Sequence, residues 1–229
     1  IISARSSDGE LVTGSAGEFE PIPNGTVDAG TIHLRRSTDV MQFQGPESFP
    51  AGNFPNNVTV ADFNGDGKKD MGVTADFNSL CILLSKGNGE FHPEQRFVTG
   101  MTPQDVAAGD FNGDGDLDLI VAHYGGVAVH LGDGQGGFAD FHSYSTQEES
   151  FGYYLKELAL VDLDGDGHTD LVATNPGDGA IATLTGNEDG TFNPAVLVQA
   201  GESPISLTTS DFNGDGNQDV LLVDAANKD

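Results

Sequence analysis

Nine residues recur four times along this chain at nearly even spacing, and that recurrence limits the fold more than any other feature. The stretch Asp62-Phe63-Asn64-Gly65-Asp66-Gly67-Lys68-Lys69-Asp70 returns as Asp110-Phe111-Asn112-Gly113-Asp114-Gly115-Asp116-Leu117-Asp118. A third copy runs from Asp162 to Asp170 and a fourth from Asp211 to Asp219. Their first residues lie 48, 52 and 49 positions apart in a chain of 229 residues. A fixed period of this length marks a repeat architecture, each unit supplying one supersecondary element that stacks on its neighbours.

The residue types inside the copies point to a divalent cation. Positions 1, 3, 5 and 9 are Asp62, Asn64, Asp66 and Asp70; Asp110, Asn112, Asp114 and Asp118; Asp162, Asp164, Asp166 and Asp170; Asp211, Asn213, Asp215 and Asp219. Ca²⁺ takes roughly six to eight oxygen ligands, drawn from carboxylates, side-chain amides and main-chain carbonyls. Position 7 needs only its carbonyl, so Lys68, Asp116, His168 and Asn217 are all tolerated there. Glycines at positions 4 and 6 permit the tight wrap. Four Ca²⁺ sites are therefore expected, against the alternative of metal-free Asx/Gly turns. An EF-hand is excluded, because position 12 holds Val73, Val121, Ala173 and Leu222 where a bidentate Glu is required.

The flanks read as strands. Val58-Thr59-Val60-Ala61 enters the first loop and Met71-Gly72-Val73-Thr74-Ala75 leaves it, and Leu158–Val161 with Leu171–Thr174 repeats the arrangement. Short apolar, β-branched runs bounded by turn residues predict buried strands. Phe91, Phe138 and Phe192 each end a Gly-rich turn, a hairpin signal. One unit then has four strands: one into the loop, one out, a third such as Ala128–Leu131, and a fourth beginning at the Phe. Four antiparallel strands per fifty or so residues predict an all-β chain of β-propeller blades, with a solenoid as the alternative.

Charge bounds the partners. The chain carries 36 acidic and 9 basic residues, a net charge of −27. Four Ca²⁺ ions would bring this to about −19. Nucleic acid and anionic membranes need Lys/Arg patches, and neither is expected here. No apolar run reaches the ~18–20 residues of a membrane span. Cys81 is the only cysteine and lies in Leu80-Cys81-Ile82-Leu83-Leu84, where a small buried hydrophobe is expected. The chain starts at Ile1 rather than Met, so a processed or partial chain is expected.

The pattern D-F-N-G-D-G-x-x-D, an apolar strand, then G-x-G-x-F resembles the FG-GAP/VCBS repeat family over residues 43–229. That family includes the calcium-loop blades of integrin α-subunit propellers, some fungal and bacterial lectins, and many secreted bacterial proteins. The resemblance implies Ca²⁺ at all four loops, a propeller usually of seven blades, and an extracellular or cell-surface setting in adhesion or assembly.

Residues 43–229 divide into units 43–90, 91–137, 138–191 and 192–229, and residues 1–42 form an N-terminal segment. The last unit has only its first two strands. Thr31–Arg36 aligns with a third strand and the segment from Phe43 with a fourth, which would close a four-bladed ring. Alternatively Ile1–Ala4 and Leu11–Thr13 begin a metal-free blade, and the chain is an arc of a larger propeller completed elsewhere. The arc is the preferred reading.

Two further readings concern function. The third unit's insertion holds Tyr144, Phe151, Tyr153 and Tyr154, candidates for stacking on a sugar or seating a protein, against ordinary packing between blades. The six histidines show no zinc spacing. No G-x-S-x-G or H-E-x-x-H motif is present, and the acid spacing is accounted for by Ca²⁺, so no enzyme is expected. The expected function is a Ca²⁺-binding extracellular module for adhesion or protein interaction. A lectin propeller is the alternative, and a propeller-borne polysaccharide lyase or hydrolase the less favoured one.

Overall fold

The computed structural model describes residues 48–146 and 154–226 with their side chains, together with the backbone of short strands nearer the N-terminus. Those strands are β1 (Ile2–Arg5), β2 (Leu11–Gly14), β3 (Thr26–Val27), β4 (Arg35–Arg36) and β5 (Met41–Gln42), followed by β6 (Phe49–Pro50). They pair as β1 with β2, β3 with β6 and β4 with β5, all antiparallel. Residues 43–47, with Phe43, lie outside the described residues.

Three four-stranded antiparallel sheets follow. The first comprises β7 (Asn57–Ala61), β8 (Asp70–Ala75), β9 (Ser79–Leu83) and β10 (Gln95–Val98). The second comprises β11 (Asp105–Gly109), β12 (Asp118–His123), β13 (Gly126–His130) and β14 (His142–Ser145). The third comprises β15 (Leu158–Val161), β16 (Asp170–Asn175), β17 (Ala180–Leu184) and β18 (Val196–Gln199). A half-sheet of β19 (Pro204–Ser210) and β20 (Asp219–Asp224) ends the array. Strand order in every sheet is sequential, as a meander requires.

Burial explains the residue patterns. β8, β12 and β16 are the second strands of their sheets and are buried along their whole length. Both faces of such a strand meet apolar neighbours, so its sequence is a continuous apolar run rather than an alternating one. The fourth strands lie at the outer edge: β10 and β14 turn one partly buried residue inward, and β18 is exposed throughout.

The cores lie between sheets, not within them. Phe63, Leu80 and Ile82 of the first sheet pack with Leu119, Val121 and Ala128 of the second. Phe111, Ile120 and Val129 of the second pack with Leu171, Leu184 and Phe192 of the third. Val161 and Val172 then meet Leu207, with Val220 and Leu222 against them. The innermost strands β7, β11, β15 and β19 follow one another side by side. Sheets stacked face to face around a row of inner strands are propeller blades, and the described blades form an arc that does not close.

The fourth strand of each blade starts later than its aromatic. Phe91, Phe138 and Phe192 form single bridges to Ser85, Gly132 and Gly186, and β10, β14 and β18 each begin four residues further on. Pro93 and Pro194 lack the N–H that would continue the ladder. The phenylalanines instead close the hairpin and turn into the gap between blades.

Candidate metal centres and the two faces of the arc

Each nine-residue copy forms the loop between the first and second strands of a blade. Asx turns shape it. In the first loop Asp62 accepts the main-chain N–H groups of Asp66 at 3.1 Å and Gly67 at 2.8 Å, and Asn64 Oδ1 accepts that of Asp66. Asp110, Asp162 and Asp211 accept in the same way from Gly115, Gly167 and Gly216. Gly65 and Gly67, with φ of 68° and 82°, take the left-handed backbone that this wrap demands. The side-chain oxygens of positions 3 and 5 likewise accept main-chain N–H groups in every copy. In the third loop Asp162, Asp164 and Asp166 each bring a carboxylate oxygen within 4.8 Å of the others.

The ninth residue has a second occupation. Asp70 is buried, and its two oxygens accept N–H bonds from Phe63 at 2.9 Å and Ser85 at 2.7 Å. Asp118 accepts from Phe111 and Gly132, and Asp170 from Leu163 and Gly186. Each carboxylate pins the loop to the end of the third strand, a bond that the sequence does not announce because the donors are main-chain groups. Burial pushes the Asp70 and Asp118 carboxyls up, against these bonds. In the half-blade Asp219 accepts from Phe212 at 3.0 Å and sits 3.5 Å from Asn213 Nδ2.

Oxygen-rich turns with glycine at the bends fit a hard cation such as Ca²⁺, and the loops present that donor set. Asp62, Asn64 and Asp66 with the Lys68 carbonyl, and their equivalents in the other copies, would hold it. The loops are not identical. Lys68 Nζ lies 2.8 Å from Asp66 Oδ2 and holds that carboxyl below the usual range. Asp211 is held low by the N–H groups of Gly216 and Gly214.

A second repeated device joins the blades. Asp105, five residues before the second loop, accepts the N–H of Leu158 in the next blade at 2.8 Å. Glu157, at the same position of the third unit, accepts that of Leu207 at 3.1 Å. Only the recurrence of an acid at this offset signals it in the sequence.

The aromatic candidates separate. Tyr144 lies on β14 with its ring 5.8 Å from Phe192, packed against the core between blades two and three. Tyr154 is about half exposed and forms a bridge and a ring contact of 5.5 Å with Tyr124. Phe151 and Tyr153 lie outside the described residues. Beside Tyr154 is a depression of 460 Å³ lined by Gln104, Lys156, Pro176, Ser203 and Ile205.

Comparison with known proteins settles the family. The FG-GAP-like repeat profile matches residues 62–121, 110–173 and 162–222, each match running from one loop through the strand after the next. The chain belongs to the FG-GAP-like repeat family. No curated protein matches it. Among solved structures, this FG-GAP-like chain is similar to an Agrocybe aegerita lectin that recognises non-reducing terminal N-acetylglucosamine, with 22% identity and a TM-score of 0.54. It is also similar to BBS1N in its complex with ARL6DN, with 14% identity and a TM-score of 0.51. The alignments cover 77% and 72% of this chain but 52% and 49% of those chains, so the FG-GAP-like chain spans about half the length of either. Likeness at this identity concerns the fold. Among the described residues no helix is long and apolar enough to cross a membrane.

Proposed function

We propose that this FG-GAP-like chain is a non-enzymatic interaction module, working outside the cell, whose blades are stiffened by structural Ca²⁺. The single observation that carries the reading is the fourfold loop, in which main-chain N–H groups hold the oxygens of the first Asp in every copy and in which three carboxylates of the third copy converge within 4.8 Å. Such a turn places like charges close together, and a divalent ion relieves that repulsion. Extracellular Ca²⁺ of about 10⁻³ M would fill sites of modest affinity. The neighbours support a binding role in kind: one recognises a sugar terminus and the other was solved with a protein partner.

Isothermal titration of the chelator-stripped chain with Ca²⁺ tests this. Four sites are expected, and Asp166→Ala should remove one and leave the rest. A chain that takes up no Ca²⁺ at millimolar concentration would rule the metal role out.

The lectin reading has one observation in its favour, the depression beside Tyr154, where an aromatic ring meets Gln104, Lys156 and Ser203. Sugar sites combine an apolar platform with a few polar groups in this manner. Glycan-array binding abolished by Tyr154→Ala would move the assignment to a lectin.

A further inference from the structure

In a meandering blade the first-to-second and third-to-fourth connections emerge at one end, and the second-to-third turns and interblade linkers at the other. The acid loops therefore occupy one face of the arc and leave the opposite face to a different set of residues. On that opposite face large apolar side chains stand in solvent: Phe54 is 73% exposed, Phe77 78% and Met101 62%, with Tyr124 and Tyr154 following. Their order around the arc is fixed by main-chain bonds. Asp76 N–H donates to Asn53, Thr102 to Phe77 and Tyr124 to Met101, and Tyr124 bridges Tyr154. The result is a ridge of exposed apolar residues, interspersed with Asn53, Asp76 and Thr102, across the first and second blades, with Tyr154 at its end lining the depression.

Strain coincides with this ridge. Among the described residues the non-glycine positions with positive φ are Phe54 at 48°, Asp76 at 53° and Thr102 at 49°, all of them on it. A bulky residue such as Phe adopts this backbone at a cost that ordinary turns avoid. Phe54 gains no packing in return, since its side chain is exposed. Asp76 is clamped instead, by Asn53 Nδ2 at 3.0 Å and Arg96 Nη1 at 2.9 Å. Strained backbone held by surrounding bonds concentrates at binding sites.

We propose that this ridge is the docking surface of the interaction module, and that its occupant is a protein segment with apolar anchors flanked by Lys or Arg. The inference rests on the module reading above and assigns it a face. Phe and Met offer contact area without hydrogen bonds, which suits apolar side chains better than sugar hydroxyls. Asp178 and Glu202, both exposed, lie on the turn and linker beyond the depression, where Lys156 is the one basic lining residue, and Arg96 is already paired to Asp76. That surroundings attracts basic flanks and repels acidic ones.

Panning a random-peptide phage library on the Ca²⁺-loaded chain, then measuring the selected synthetic peptides by fluorescence polarisation, tests the proposal. Enriched peptides should pair apolar or aromatic residues with Lys/Arg, and the double variant Phe77→Ser/Met101→Ser should weaken them about ten-fold or more. Both positions are exposed, and an unchanged melting temperature confirms that the variant folds. The control Val196→Ser/Val198→Ser, on exposed β18, should leave affinity unchanged. Peptides that bind both double variants as well as the parent would overturn the ridge while sparing the module reading. Failure to enrich any peptide would overturn the assigned occupant, while the module reading stands or falls on the Ca²⁺ titration. Glycan-array binding lost in Phe77→Ser/Met101→Ser would give the ridge to a sugar and overturn the assigned occupant.

Discussion

His130 is fully buried on β13, with Nε2 3.1 Å from Thr99 Oγ1 and its ring beside Phe141. Burial brings its pKa down from 6.5 to about 4. The folded state therefore excludes a proton that the unfolded chain accepts below pH 6.5, so stability falls as pH drops from 6.5 toward 4 and levels off below. The difference amounts to about 3 kcal/mol at most. Relative to His130→Gln, the parent should lose its advantage across that window, read from urea melts at successive pH values. The raised carboxyls of Asp70, Asp105 and Asp118 titrate in both proteins and cancel in the comparison. Parallel curves for the two proteins would show that His130 is not the source. At the same scale the loop residues were readable from their types and spacing. The paired N–H acceptance of the ninth Asp was not, because a backbone donor leaves no trace in sequence.

The elements are locked together by aromatics that the sequence presents as strand starts. Phe63, from the first loop, meets Phe138, from the second blade's hairpin, edge to face at 5.7 Å, and Phe111 meets Phe192 likewise at 6.0 Å. Phe63 and Phe111 thus each pack on the hairpin Phe of the following blade. Phe63→Ala should cost about 3–5 kcal/mol as a buried aromatic truncation. A double-mutant cycle with Phe138→Ala should return a coupling of about 0.5–1.5 kcal/mol. Additive effects of the two changes would show that the rings do not act as a pair. The four-strand grammar was legible because apolar runs and glycine turns alternate. The offset between each Phe and its strand was not, since the bridge and the proline that follows it decide where the ladder resumes.

The whole molecule behaves as a row of neighbours. Among the described residues each blade packs on its neighbours along the chain, so stability should be close to a sum of units and interfaces. Removing Ca²⁺ should lower the melting temperature, since a site at a hundred times its dissociation constant adds about 2.7 kcal/mol. In Asp166→Ala, hydrogen exchange should rise most in β15 and β16 and least in β7 and β8. Uniform loss of protection across all blades would contradict the row. At its far end the row is open: Phe212 is 54% exposed where Phe63 and Phe111 are 2% and 5%. The difference is the absence, among the described residues, of a following blade to cover it.

The sequence by itself determined the repeat, its four-stranded unit and the oxygen-rich turn between the first two strands, because all of these depend on residues close together in the chain. Only the tertiary structure decided which phenylalanine meets which, that Asp105 and Glu157 reach into the next blade, and that the described blades form an arc that does not close. It alone brought Phe54, Phe77 and Met101 onto the face away from the nine-residue loops. These outcomes depend on how separate sheets stack, and that stacking joins residues some fifty positions apart whose partnership no local pattern encodes.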